Sequence, residues 1–438
     1  MIDRTSTTSR SSEKGRSISS LSGVLQKGRI FYGWWIVAGL WISLFIGVGI
    51  IFYSYGVFFV FWERELGWSR TAISGAFSVG SAIPAAIMPF LGRLVERYGS
   101  RRIMLAGALV MGLGFFLLSQ MSSPWQLFLF YTIATLGFTL LGHVPIAMTL
   151  AAWFEKKRGL AIGLAHTGMG AGGVVMTPLA TYLAANLGWR PTAAILGLIV
   201  WVALVPLILL VIRSRPQDMG LLPDSADASA QGTVSSQKDV APLAEGATLG
   251  EALRSLLFWM TTIAFVVNGV GLVGVWSQQI PYLTDLKFPL ATAAIAASVS
   301  ASMHVVGKVL FGFLSDRVPP RYVLSLGFSF GLIGVIGFLL TRNIAIALAA
   351  SAFLGLAGSV STVLQPVIVG SYFGNRSLGS ILGVLFAINT VGISFGPVIS
   401  GRAFDLAGNY AGIFQMYAVG ILLAAIVPLL VKPHRKSG

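Results

Sequence analysis

Gly92-Arg93-Leu94-Val95-Glu96-Arg97-Tyr98-Gly99-Ser100-Arg101-Arg102 returns 220 residues later as Gly312-Phe313-Leu314-Ser315-Asp316-Arg317-Val318-Pro319-Pro320-Arg321. The same offset relates Gly159-Leu-Ala-Ile-Gly163 to Gly379-Ser-Ile-Leu-Gly383. At an offset of 219, Trp153-Phe154 corresponds to Tyr372-Phe373. The chain is therefore built from two related halves, and each copy of the first segment follows an apolar run long enough to cross a bilayer. In a duplicated membrane protein the binding site is expected between the halves, near the midplane.

The composition sets the class. Of 438 residues 55% are hydrophobic and only 10% charged, with a mean hydropathy of +0.82. Soluble domains carry about 25% charged residues, so most of this chain lies in lipid. Apolar stretches of spanning length fall near 33–62, 71–92, 103–121, 124–154, 159–187, 191–212, 256–284, 291–314, 322–340, 344–373, 379–404 and 410–431. The expectation is an all-α membrane protein of twelve helices in two pseudo-symmetric halves, 30–212 and 253–431. A polar segment over 213–252 reads as the linker, and 1–29 and 432–438 read as polar tails, the first disordered. The net charge of +15 reports topology rather than nucleic-acid binding. With the N-terminus inside, 23 of the 30 Lys and Arg fall in cytoplasmic segments and 6 in external loops, leaving Lys308. That asymmetry places both termini in the cytoplasm. The chain has no cysteine, which excludes thiolate chemistry and Cys-based metal sites. No ATP-binding loop stands out, so transport energy would come from a gradient. No catalytic constellation points to an enzyme, and no cofactor is expected.

Lys308 is the one fully charged side chain deep inside an apolar segment. It precedes Asp316 by eight residues, roughly 12 Å along a helix, and a cation at bilayer depth costs at least ~2.5–3.5 kcal/mol. No Asp or Glu lies within a span to offset it. A transported anion is the simplest candidate. The plainer alternative is a lysine deprotonated by burial or bonded to backbone carbonyls. Three of the four histidines, His143, His166 and His304, also fall within spans. With no carboxylate there, they are the neutral-range proton carriers available, although each could be a neutral histidine bonded between helices. His304 is one turn before Lys308 and on its face. Tyr53, Asn268 and Asn389 are plausible cavity linings, or helix-to-helix contacts worth only ~0.6 kcal/mol. Gly168, Gly170, Gly172 and Gly173, with Gly392 and Gly396, read as sites of close helix packing. No metal site is expected, since the histidines have no acidic or thiol companions.

The repeated segment resembles the loop signature of the major facilitator superfamily, carried by Gly92, Glu96, Arg97 and Arg101 in one half and by Gly312, Asp316, Arg317 and Arg321 in the other. The resemblance implies a charged latch that breaks and reforms during alternating access. A narrower resemblance is carried by Tyr32-Gly33-Trp34-Trp35, by Trp153-Phe154-Glu155-Lys156-Lys157-Arg158-Gly159-Leu160-Ala161 and by Arg215-Pro216-Gln217-Asp218-Met219-Gly220-Leu221-Leu222-Pro223. These are similar to bacterial members of the monocarboxylate transporter and oxalate/formate antiporter group. That group carries a buried cation in span eight, four residues before a glycine, and Lys308 stands four before Gly312. Lys replaces the usual Arg, Val309 the usual Pro, and His304 an acid found in animal members.

The expected function is secondary transport of a small organic anion, a monocarboxylate with a proton, across the bacterial inner membrane. One buried cation matches one carboxylate. The alternatives are an exporter of an amphipathic compound, with Lys308 structural, and a dicarboxylate/monocarboxylate exchanger. The expected partners are the anion, protons and the bilayer, with no nucleic acid, and the protein is expected to act as a monomer.

Overall fold

The computed structural model describes residues 31–154, 157–221, 246–315, 317–374 and 376–430. Both tails, most of the linker and Asp316 lie outside the described residues. Among the described residues twelve helices are long and apolar enough to cross a membrane. They are α1 (Gly33–Leu66), α2 (Arg70–Tyr98), α3 (Ser100–Ser119), α4 (Pro124–Trp153), α5 (Arg158–Leu187) and α6 (Trp189–Leu210) in the first half. The second half holds α7 (Leu256–Asp285), α8 (Leu290–Ser315), α9 (Pro320–Leu339), α10 (Ile344–Phe373), α11 (Leu378–Ala407) and α12 (Ala411–Leu430). The expected all-α architecture of twelve spans is what forms. An even number of spans puts the start of α1, the end of α12 and the α6–α7 connection on one face, here the terminal face. The opposite one is the far face.

Polar residues confined to the connections decide where the helices begin. Ser69 caps α2 by accepting from the Ala72 N–H, and Asn343 caps α10 by accepting from the Ile346 N–H. Ser123 and Gln126 form a capping box on α4, which satisfies donors that lipid cannot. Gly67 ends α1 at φ 64°, a left-handed conformation that glycine adopts without strain.

Three irregularities fall inside spans, one of them a π-turn at Val200–Leu204 in α6. A π-turn at Gly49–Tyr53 interrupts α1. At Gly142 helix α4 breaks into Pro124–Leu141 and His143–Trp153, which leaves His143 as the first residue of the second piece. Such breaks in membrane helices are tolerated where the backbone is buried in protein or lines a water-filled space.

The connection between halves is partly ordered. A short helix, Leu249–Arg254, begins inside the segment read as linker and runs past its expected end at 252, and its apolar residues pack against Val369, Phe373, Ile381 and Leu385 of α10 and α11. The Ala247 N–H donates to the Phe373 carbonyl at 2.7 Å. Glu251 accepts from the Thr248 N–H at 2.8 Å, which holds its carboxyl below the ordinary value. The end of the connection thus rides on the second half.

The halves meet through α1 with α7, α2 with α11 and α5 with α8. These contacts run from the far face to mid-depth, where Gly170 of α5 packs on Val305 of α8. A Cβ on Gly173 would meet Ala301 and Tyr53, and one on Gly401 would meet the Arg70 carbonyl. Towards the terminal face the same helices separate. No atom lies within 4 Å of where a Cβ would stand on Gly92 of α2, Gly159 and Gly163 of α5, Gly312 of α8 or Gly383 of α11. The result is a cleft between the halves, shut at the far face and open at the terminal face.

Candidate functional site

Lys308 stands on the α8 wall of this cleft, partly exposed, with no hydrogen bond or ion pair among the described residues. It interacts electrostatically with His143, His166 and His304. The lysine and the histidines singled out in the sequence are therefore neighbours, although they come from three helices and both halves.

The histidines divide into two groups. His143, at the α4 break, is exposed despite its depth, because it faces the open cleft. Its Nδ1 lies 3.3 Å from Nε2 of His166 on α5, with ring centroids 5.4 Å apart and planes 23° from parallel. His166 Nδ1 in turn lies 2.9 Å from the Ile162 carbonyl oxygen. His304 packs away from this pair. Its Nδ1 is 3.5 Å from where a Cβ of Gly358 on α10 would stand, and its Nε2 is buried without a partner. Sharing a helix face with Lys308 did not bring it into the pair, because α10 is the nearer wall at that height.

The remaining expected residues scatter. Tyr53 lies at the closed end of the cleft, edge-on to Trp276 at 5.3 Å. Together with Phe52, Phe77, Gln279 and Ala297 they line a cavity of about 20 Å³, room for little more than one water. Asn268 is fully buried within the second half, with its Oδ1 3.5 Å from a Cβ position on Gly331 of α9. Asn389 turns its Oδ1 towards Gly269 of α7. Neither buried oxygen has a partner. Among the described residues no three His, Cys, Asp or Glu side chains come together as metal ligands would.

At the terminal face the latch residues do not bridge the halves among the described residues. Arg97 lies over the Tyr98 ring at 5.3 Å, Arg317 over Phe313 at 3.4 Å and Arg321 over Tyr322 at 4.7 Å. The Arg101 N–H donates to Ser214 at 3.2 Å and its guanidinium reaches the Leu209 carbonyl at the end of α6. The latch partner Asp316 lies outside the described residues.

The far face holds a charged lock that sequence reasoning missed. Arg70, only 3% exposed, donates to both oxygens of Asp285 at 2.6 and 2.7 Å, to Glu63 at 2.7 Å and to the Tyr410 hydroxyl at 2.6 Å. Its guanidinium sits 3.7 Å from the Phe404 ring centroid. Asp405 of α11 accepts from the N–H groups of Arg70 and Thr71 at 3.1 and 2.8 Å, capping α2 from the opposite half. Behind it the Tyr410 hydroxyl donates to Gln278 at 2.8 Å, and Gln278 donates to Ser74 at 2.7 Å. Each charged group sits at a span end and reads locally as a loop residue. The pairing joins residues up to 335 positions apart, and no spacing reveals it.

Comparison with known proteins follows the same lines. The Major Facilitator Superfamily profile matches residues 40–303 and 277–438. Monocarboxylate transporter 13 of Bos taurus is 26% identical over 409 residues, which covers 92% of this chain and 90% of the relative. An uncharacterized MFS-type transporter, YhjX, of Escherichia coli is 26% identical over 326 residues, covering 73% and 75%. Among solved structures, a bacterial homologue of the human lysosomal transporter Spinster, in an inward-facing and occupied conformation, superposes with a TM-score of 0.70. It is 17% identical and covers 92% of this chain and 97% of its own.

Proposed function

Since the chain belongs to the major facilitator superfamily, whose members are transporters rather than enzymes, we propose that it carries a small monocarboxylate with a proton by alternating access. The observation that carries this reading is Lys308: a cation on the cleft wall, between the halves, with no counter-ion among the described residues. A bound carboxylate would supply one, and a charge-assisted hydrogen bond of this kind contributes about 1.5–3 kcal/mol. Relatives named monocarboxylate transporters support the substrate class.

On the topology favoured by the basic residues, in the inner membrane with both termini cytoplasmic, the open end of the cleft faces the cytoplasm. The Arg70 lock is then the outer gate, closed. Gly92, Glu96, Arg97 and Arg101, with Gly312, Arg317 and Arg321, belong to the inner latch, open among the described residues; its other member, Asp316, lies outside them. One cation without a second favours a monocarboxylate over a dicarboxylate.

The test is uptake by proteoliposomes of the full chain over a panel of labelled lactate, pyruvate, formate, oxalate and benzoate. Lys308→Ala is expected to lower uptake of the preferred acid by about tenfold or more, the equivalent of one lost charged contact. Undiminished uptake by that variant would remove Lys308 from the site. Efflux of an amphipathic dye with no carboxylate uptake would favour the exporter reading.

A further inference from the structure

We infer that the His143–His166 pair is the proton site of this transporter, and that proton and carboxylate are coupled by charge compensation across the cleft from Lys308. The inference rests on the carboxylate reading of Lys308 and selects one of three candidate histidine positions by geometry.

The hydrogens of the pair follow from its bonding. The Ile162 carbonyl can only accept, so His166 Nδ1, 2.9 Å away, carries the hydrogen. A neutral imidazole has one such hydrogen, so His166 Nε2 presents a lone pair. His143 Nδ1, 3.3 Å from it, must then donate. That leaves His143 Nε2 with its own lone pair, no partner among the described residues, and an outlook onto the cleft. The pair thus forms a chain of two hydrogen bonds, anchored on a backbone carbonyl and ending in one proton acceptor. A proton arriving at His143 Nε2 makes an imidazolium whose Nδ1–H bond to His166 becomes charge-assisted and stronger. No second proton transfer is needed, and the tautomer of His166 is unchanged.

The groups facing the pair supply the coupling. Lys308 from α8 is the charged side chain that interacts with both histidines. α1 packs beside α4 and carries no charged residue from Gly33 to Trp62. On α2 and α3, Arg93, Glu96, Arg97, Arg101 and Arg102 sit at the terminal-face ends. No carboxylate among the described residues interacts with either ring. A proton on His143 therefore sets a second cation opposite Lys308 unless an anion lies between them. A carboxylate there relieves both charges, so each ligand raises the affinity for the other, by the same factor. The loaded cleft gains one negative and one positive charge, so the transport step is electroneutral. His304 has no part in this, since its ring packs on Gly358 and its free nitrogen is buried.

The test uses the same proteoliposomes and acid panel, with a pH-sensitive dye inside. Wild type should move one proton per carboxylate, at a rate insensitive to an imposed membrane potential. His143→Gln should unfold at the wild-type temperature in detergent, which reports a folded carrier, while proton movement drops to background and an inward proton gradient no longer speeds uptake. His166→Leu, which removes the acceptor behind His143, should displace the pH midpoint of uptake downward. His304→Gln should couple like wild type. Acidification from pH 7.5 to 6 should tighten carboxylate binding at least about 5-fold in wild type, up to a ceiling of about 30-fold for one coupled proton over that interval, and leave His143→Gln unmoved. Full proton coupling in His143→Gln, or loss of coupling only in His304→Gln, overturns the inference. A carboxylate carrier that moves no protons also overturns it while leaving the Lys308 reading intact. Lys308→Gln with normal counterflow overturns that reading separately.

Discussion

Two cations define this protein, and they are treated in opposite ways. Lys308 has no partner among the described residues and faces the cleft, whereas Arg70 is wrapped by two carboxylates, a hydroxyl and an aromatic ring at the far face. An unpaired charge is visible in a sequence because it interrupts an apolar run, so Lys308 could be found by inspection. Arg70 could not, because its cost is met by Glu63 and Asp285 from other elements. Removing Arg70 leaves those acids without a donor, although both are partly exposed and water can reach them. Arg70→Ala should weaken the closed far face by about 1–3 kcal/mol, shifting the carrier towards the opposite opening. Labelling of a single cysteine placed at the closed end of the cleft, at Ala297→Cys, by an impermeant thiol reagent from the far side should rise accordingly. Unchanged labelling would show that the lock does not hold that face shut.

At the scale of elements, the glycine-rich stretch of α5 was legible as a packing device, and it is one. A Cβ on Gly168 would collide with the Trp41 carbonyl, and one on Gly172 with the Phe45 carbonyl. These obstacles are backbone, which cannot swing aside. Gly172→Val should therefore force α1 and α5 apart and destabilise the first half by about 1–3 kcal/mol. The measurement is thermal unfolding in detergent, with Gly159→Ala as the control, since nothing stands near that position. The break in α4 was not legible. Pro124–Trp153 reads as one continuous apolar span, and only the structure shows the chain turning at Gly142, which sets His143 at the head of a new helix. Helical spacing could place His143 at mid-depth but could not say which neighbour it meets. The same limit applied to His304: its face was correct, and its wall was α10.

At the scale of the molecule, the duplication announced by Gly92 and Gly312 accounts for the twelve helices and for a cleft between the halves. It does not disclose which way the cleft opens, because both conformations use the same sequence and differ only in which end is packed. That state can be checked directly, since the chain contains no cysteine. A Cβ on Gly75 would lie 3.9 Å from a γ-methyl carbon of Val398 across the α2–α11 contact, so thiols at these two positions would stand near each other on the closed side. The Gly75→Cys/Val398→Cys variant should therefore cross-link readily and stop transport. Gly92→Cys/Gly383→Cys, on the splayed side, should cross-link only when the carrier turns over. Equal yields from both pairs would mean that the cleft has no preferred opening.

The cap that Asp405 places on α2 from the other half has a kinetic corollary. A helix that borrows its terminal acceptor loses it each time the halves part at that face, together with the bonds of Arg70. The vacant carrier must make that passage alone, whereas the loaded carrier can draw on contacts that its cargo makes with both halves. If the cargo is the carboxylate proposed above, return of the empty form would then be the slow step of a one-way cycle. Swapping one labelled acid for another would bypass that step, so acid already present on the receiving side is expected to accelerate entry from the other.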